Sequence, residues 1–314
     1  MQILFVAPRY HTNQIDIVKT LQKNNHKVFF LTKSVGLIED HKILKPHLML
    51  KSIFSLILEK LFFFLKNKDI FYIVNYKFLK EYLIKNNIDI VVIRIHNRLN
   101  LYFISLVCLI LKIKIIFYDQ GNLDLDYLNK KKFITIIKKI EFYLRVYIFK
   151  SVWYTPLKSK HAKNTNKFFY VPFAIKYKNH KNLLSKNFNL ISIVKFQKRK
   201  NHLLLIKSFK KLLPNNSINL TIIGECSSVE HMHNYEIILK YIKKNDLTNK
   251  VKIILNIPHN KINEYYRKNN IFILASSNEP ASISILEAMS FGLPVICSDT
   301  CGTKTYINHK RSGL

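Results

Sequence analysis

Residues 271–299 read IFILASSNEPASISILEAMSFGLPVICSD. An apolar, β-branched run from Ile271 to Leu274 gives way to a polar turn, and a segment with apolar residues at helical spacing follows. Gly292 and Pro294 stop that segment, and Val295 to Cys297 resumes the strand-like character. Strand, helix and strand in this order make a βαβ unit, the repeating element of a parallel sheet. Pro280 stands where a first helical turn tolerates it, so the reading starts the helix beside Glu279. The N–H groups of Ala281, Ser282 and Ile283 then lack intrahelical partners and form a place for a phosphate or diphosphate. Glu279 and Glu287 are eight positions apart, and on one helix they lie within roughly 80° of each other, able to border one ligand.

The same alternation continues in both directions along the chain. Strands are expected at Ile3 to Val6, Lys27 to Leu31, Asp89 to Ile95, Lys114 to Tyr118 and Val152 to Thr155. A second series is expected at Leu190 to Val194, Asn219 to Ile223, Val251 to Ile254, Ile271 to Leu274 and Val295 to Cys297. A polar stretch, Lys176 to Lys186, separates the two series, so the expected fold class is α/β, with two doubly wound domains covering 1–175 and 176–314. Ligands of such sheets bind at the carboxyl ends of the strands, in a cleft expected between the domains.

Taken whole, residues 271–299 resemble the family-four retaining glycosyltransferases, whose paired glutamates form an E-x7-E motif. Glu279 and Glu287 match that pair, and residues 288–296, AMSFGLPVI, match the family's continuation. The resemblance implies a GT-B fold and transfer of a sugar from a nucleotide-sugar donor with retention at the anomeric carbon. It also implies that Glu279 lies near the reacting sugar and that Glu287 holds the donor ribose. A second stretch, 194–201 (VKFQKRKN), is similar to the family's G-R-L-x-x-x-K-G motif. By that match Lys195 stands for the arginine and Lys200 for the lysine that neutralise the donor diphosphate, as the charge of a departing nucleoside diphosphate requires. Val194 and Asn201 replace the glycines, and Arg199 can supply the planar fork that Lys195 lacks. Gly224 resembles the glycine edge lining the nucleotide, and Ile257, within residues 256–259 (NIPH), the loop that contacts the base. In the first half, His96 beside Arg94, and Asp119 within residues 118–122 (YDQGN), resemble acceptor-side residues. Arg9 and His11 stand where the family has a glycine-rich loop. The family continues past the position of Leu314, so the resemblance implies a second domain shortened at its C-terminus.

The chain carries 51 Lys and Arg against 19 Asp and Glu, a formal charge of +32 that attracts anions. Nucleic acid, anionic lipid and phosphate-bearing substrates all qualify, and a coding bias toward Lys, Asn and Ile contributes to the excess. Four cysteines without metal-ligand spacing read as reduced thiols, and no Asp-x-Asp follows a strand, so no metal is expected. The apolar run Leu101 to Leu111 is too short to span a bilayer, and Met1 to Tyr10 reads as a strand rather than a secretory signal. The expected location is the cytoplasm, on the inner face of the membrane. Residues Lys42 to Lys68 interleave apolar residues with Lys45, Lys51, Lys60, Lys66 and Lys68 and read as one basic amphipathic helix. Such a helix lies on an anionic membrane or packs on the first sheet with its lysines in water. The expected reaction is sugar transfer to a glycan or lipid-linked glycan acceptor in polysaccharide biosynthesis. A nucleotide-sugar 2-epimerase, an inactive binding subunit and a nucleic-acid binder stay open beside it.

Overall fold

The computed structural model describes residues 1–10, 14–36, 42–62, 64, 71–94, 97–120, 133–158, 166–177, 188–215 and 217–314. The chain divides into two compact units with the boundary between Phe173 and Ala174.

In the first unit the strands are β1 (Gln2–Arg9), β2 (Lys27–Ser34), β3 (His47–Leu48), β4 (Ile90–Arg94), β5 (Lys114–Tyr118), β6 (Val152–Thr155) and β7 (Phe168–Tyr170). They form one parallel sheet in the order β3-β2-β1-β4-β5-β6-β7. The helices are α1 (Ile15–Lys23), α2 (Ile53–Leu61), α3 (Tyr76–Lys85), α4 (Arg98–Ile110) and α5 (Phe133–Tyr143). The period-two alternation of β1 sends Leu4 and Val6 to one face, against Leu79 and Leu83 of α3 and Leu101 and Ile104 of α4. Ile3, Phe5 and Ala7 face the other way, against Ile15 and Val18 of α1. On the first face the buried Arg145 lies among the rings of Tyr102, Phe117 and Trp153, 5.3–5.8 Å from their centroids, with Glu141 3.8 Å away.

The second unit repeats the arrangement with β8 (Phe188–Ile193), β9 (Ile218–Gly224), β10 (Val251–Leu255), β11 (Ile271–Leu274) and β12 (Val295–Cys297). The parallel order is β10-β9-β8-β11-β12. Its helices are α6 (His202–Leu212), α7 (Val229–Lys244), α8 (Asn263–Arg267) and α9 (Ile283–Ser290). Leu220 and Ile222 pack under α6 and α7, whereas Ile191, Ile223 and Phe272 pack under α8 and α9. In each sheet the winding reverses beside the first strand of the unit, between β1 and β4 and between β8 and β11. Both units are doubly wound in this sense.

Two expectations about helices are corrected. Residues 42–68 are not one helix: Pro46 cannot continue one, His47 and Leu48 pair with β2, and Ser52 starts α2 only at Ile53 by accepting from the Ser55 N–H at 3.1 Å. Nor does the apolar side of α2 pack on the sheet, although its one lysine, Lys60, does face water. Ser55 is buried, whereas Ile53, Phe54, Leu56, Ile57 and Leu61 are exposed, Ile53 by 73% and Leu61 by 64%. Lys66 and Lys68 lie outside the described residues. The second correction concerns α9, which starts at Ile283 rather than beside Glu279. Tertiary hydrogen bonds hold the preceding segment extended: Gly302 N–H donates to the Glu279 carbonyl at 2.8 Å, and Ser282 N–H to Thr303 Oγ1 at 2.6 Å.

Gly224 closes β9 where the chain after β8 crosses it. A Cβ there would stand 2.4 Å from a ring carbon of Phe196 and 2.6 Å from the Val194 carbonyl oxygen. Backbone cannot yield as a flexible side chain does, so Gly224→Ala is expected to lower unfolding free energy by about 1–3 kcal/mol. Urea denaturation monitored by far-UV circular dichroism measures this, and an unchanged midpoint would show that the strand ends relax.

Candidate functional site

The site is assembled where the second sheet reverses its winding, from the segments that follow β8 and β11. After β8 the chain makes a single tight turn, Lys198–Lys200, and then Asn201 takes a left-handed conformation at φ 52°. Asparagine tolerates this region better than most residues, which explains how it stands in place of a glycine. Its side-chain N–H₂ donates to the Ala275 carbonyl at 2.9 Å and to Ser277 Oγ at 2.6 Å, both in the segment after β11. Ser277 N–H returns a bond to the Arg199 carbonyl at 2.8 Å. The two loops are therefore stitched together by main chain and amide before any charge is considered.

Charge then fixes the centre. Glu279 is buried in the loop before α9, and its Oε2 accepts from Arg199 at 2.5 Å and from Lys200. Burial lowers the pKa of Lys200, and the neighbouring Glu279 carboxylate acts in the opposite direction. Two cations on one carboxylate leave a positive excess, a field that favours an anion. Glu279 and Glu287 do not share a helix. Glu287 sits on α9, and its two oxygens are held separately, Oε2 by the Tyr266 hydroxyl at 2.9 Å and Oε1 by His259 Nε2 at 2.6 Å. Burial, reinforced by Glu287, raises the Tyr266 pKa far enough that its hydroxyl remains a donor.

The remaining sequence-derived residues separate into those near this centre and those elsewhere. Ala281 and Ser282 lie in the extended lead-in, and Ile283 is the first residue of α9, so the exposed helical N–H groups begin two residues later than expected. Lys195 does not join Lys200: its ammonium is 2.7 Å from the buried Glu225, beyond the end of β9. Gly224 is held by packing, and Ile257 packs partly into the core beside α8 and α9. Asn256, at φ 53°, clamps Cys226 through its amide at 2.8 and 3.2 Å. In the first unit Asp119 ends β5 with its N–H on the Tyr154 carbonyl at 3.0 Å, and Arg94 donates to Gln120 Oε1. His11, His96, Gly121 and Asn122 lie outside the described residues. Sequence reasoning missed Tyr266 and, although Glu225 directly follows Gly224 in the stretch it singled out, did not pair Glu225 with Lys195. Tyr266 sits in an aromatic pair that reads as core, and only the fold turns its hydroxyl toward Glu287.

Residues 175–314 match the family Glycosyl transferases group 1. The second unit is a group 1 glycosyltransferase domain. Two curated relatives resemble parts of the chain. An uncharacterised glycosyltransferase of Haemophilus influenzae is 31% identical over 99 residues, 31% of this chain and 25% of the relative. The mouse GDP-Man:Man(3)GlcNAc(2)-PP-Dol alpha-1,2-mannosyltransferase is 25% identical over 131 residues, 40% of this chain and 27% of the relative. These matches thus span about a quarter of each relative's length. Among solved structures, a glycosyltransferase from Rickettsia africae superposes with a TM-score of 0.69 at 16% identity, covering 100% of this chain and 83% of its own. The Anabaena protein HepE, crystallised with UDP and glucose, superposes with 0.67 at 13% identity, covering 100% and 85%. Likeness at this identity shows the fold, and the fold is GT-B. Lys200, Arg199, Glu279 and Glu287 all fall within the matched residues.

Next to the Lys198–Lys200 turn the second unit carries His202, which opens α6 and stacks on Phe196 with ring centroids 4.7 Å apart. Burial first, and the Lys200 charge second, push its pKa down from 6.5 to about 4. The unfolded chain therefore binds this proton before the folded one does, and stability falls as pH drops from 6.5 toward 4. The full loss is on the order of 3 kcal/mol, and His202→Gln is expected to flatten it. Denaturant midpoints of both proteins across this range check the sign; an equal slope in the variant assigns the acid sensitivity elsewhere.

Proposed function

We propose that this chain is a retaining glycosyltransferase that moves a sugar from a nucleoside-diphosphate donor to a glycan or lipid-linked glycan. The observation that carries the reading is the convergence of Lys200 and Arg199 on Glu279 at the point where the second sheet reverses. In this reading Lys200 and Arg199 receive the diphosphate and stabilise the charge that builds as the glycosidic bond breaks, without a metal. Glu279, released from them, faces the sugar as positive charge develops at the anomeric carbon. Glu287, oriented by Tyr266 and His259, accepts from the ribose hydroxyls. HepE's complex with UDP supports a uridine or similar nucleotide as the leaving group. Sugar transfer is favoured over 2-epimerisation by the matched group 1 domain, which names transferases.

The first unit supports a peripheral place on an anionic membrane. Among the described residues no helix is long and apolar enough to cross a bilayer, yet α2 exposes a continuous apolar face. A surface that is both cationic and locally apolar suits an anionic lipid interface. The protein is expected to float with vesicles containing phosphatidylserine and to be released by salt, since lysine attraction is screened. Equal flotation with neutral vesicles at any salt would remove the electrostatic part of this reading.

Substitutions at the centre separate the roles. Glu287→Gln is expected to raise the donor KM with little change in kcat, because it loses ribose contacts present throughout. Glu279→Gln is expected to lower kcat while free nucleoside diphosphate binds at least as tightly, because glutamine no longer competes for Lys200 and Arg199. Lys200→Ala is expected to weaken nucleotide binding and to slow transfer by on the order of 10²-fold. Calorimetry with UDP and GDP, alongside initial rates on a sugar-nucleotide panel, reads all three; parental behaviour of both glutamate variants would sink the assignment.

A further inference from the structure

The first sheet reverses its winding between β1 and β4, and carboxyl strand ends at such a point are where open α/β sheets hold ligands. A pocket opens there, wholly within the first unit. Met49, Ile93, Leu101 and Ile104 give it apolar walls, and Lys33 from β2 and Arg94 from β4 supply two cations. No carboxylate is among the described residues that line it. Desolvation of the half-buried Arg94 lowers its pKa, with Tyr118 and Asp119 acting in the opposite direction, and the group to which it donates, Gln120 Oε1, is neutral. A partly desolvated guanidinium facing an amide oxygen is an arrangement that an anionic ligand improves. Tyr72 also lines it, with the ammonium groups of Lys33 and Lys51 at 5.2 and 5.8 Å from its ring centroid. Lys51 is balanced by Glu59 at 2.5 Å.

Tyr72 and Met49 also join this pocket to α2. The Tyr72 hydroxyl donates to the Met49 carbonyl at 2.9 Å, and the segments carrying the two residues clasp each other through Ser52 N–H to Ile73 at 2.9 Å and Asn75 N–H to Leu50 at 2.8 Å. Ser55, on the buried side of α2, donates to the Phe71 carbonyl at 2.5 Å. One clasp thus carries pocket walls at one end and the exposed Ile53, Phe54, Ile57 and Leu61 at the other. An apolar helix that enters a lipid interface brings this pocket to the depth of the headgroups.

We propose that the pocket binds the phosphate group, monoester or diphosphate, of a membrane lipid, with Lys33 and Arg94 on the phosphate and Met49 and Tyr72 against the lipid's first apolar atoms. Identifying that lipid as the acceptor rests on the glycosyl-transfer reading; the binding site itself does not. The charge and the apolar walls alone would also suit a soluble phosphate ester, and α2 is what selects the lipid-borne form.

The test uses the full chain without nucleotide and two vesicle series matched in surface potential, one containing phosphatidic acid and one phosphatidylserine. Tighter binding to phosphatidic acid is expected, and Lys33→Gln or Arg94→Gln should each remove roughly fivefold of that affinity while leaving phosphatidylserine binding unchanged. Lys45→Gln with Lys60→Gln should lower both series alike, and Phe54→Ser with Ile57→Ser should weaken both. Thermal melts establish that the variants fold, and Lys33 at the strand end keeps the test open if Arg94→Gln does not. Equal binding to the two lipids, or a preference that survives Lys33→Gln, overturns the site. Competition by glycerol 3-phosphate at its own solution affinity equal to that for vesicles overturns the lipid assignment. Nucleotide binding by Lys33→Gln, read by calorimetry, reports the second unit independently, so failure of the donor reading and failure of this one are seen apart.

Discussion

Lys200 is a buried cation, and the second unit is organised so that it can be buried. Removing an ammonium from water costs several kcal/mol, and only a close, well-directed counter-charge offsets that. Glu279 provides it from a loop that belongs to a different strand. For the two to meet, the turn after β8 must pass through a left-handed residue, the loop after β11 must run extended to Ser282, and Gly302 and Thr303 must hold it there. Asn201 meets the first requirement and also ties the loops through its amide. The starts of α6 and α9 follow from these constraints. The Lys200–Glu279 pair is balanced in charge, and the positive excess at this place comes from the more exposed Arg199 on the same carboxylate.

Unit one solves a related problem with different chemistry. Its helix α2 is attached by main-chain bonds at Ser52 and by the buried Ser55, with little apolar surface turned inward. An exposed row of isoleucine, leucine and phenylalanine is costly in water and becomes favourable in a lipid interface. Lysines elsewhere act over about one Debye length, roughly 8–10 Å, whereas the apolar row acts only on contact. On the proposed membrane surface, long-range capture and short-range retention would therefore fall to different residues.

The sheets were the most legible part of the sequence. Lys114–Tyr118, Val152–Thr155, Ile271–Leu274 and Val295–Cys297 are strands with the bounds that their residues suggest, because parallel strands buried on both faces are continuous apolar runs. β3 and β7 were not legible: they have two and three residues, and pairing at the sheet edge rather than composition makes them strands. The onset of α9 was misread for a related reason. Pro280 permits a helix, but hydrogen bonds from residues more than twenty positions later decide against it there. Motif spacing singled out Arg199, Lys200 and Glu279, which the structure brings together from the loops after β8 and β11, and Glu287, which α9 carries. The partner of Lys195 was hidden, because Glu225 comes alongside only when β9 pairs with β8.

The cage of aromatic rings around Arg145 has an optical consequence. Trp153 is the chain's one tryptophan, it lies in β6, and its indole N–H is bonded to Ser151 Oγ at 3.2 Å with the guanidinium over its face. Light absorbed selectively by indole is therefore emitted from the first unit alone, and the colour of that emission reports whether water has reached this cage. The second unit contributes nothing at those wavelengths, so within the intact chain the melting of one half can be followed while the other is occupied, emptied or unfolded.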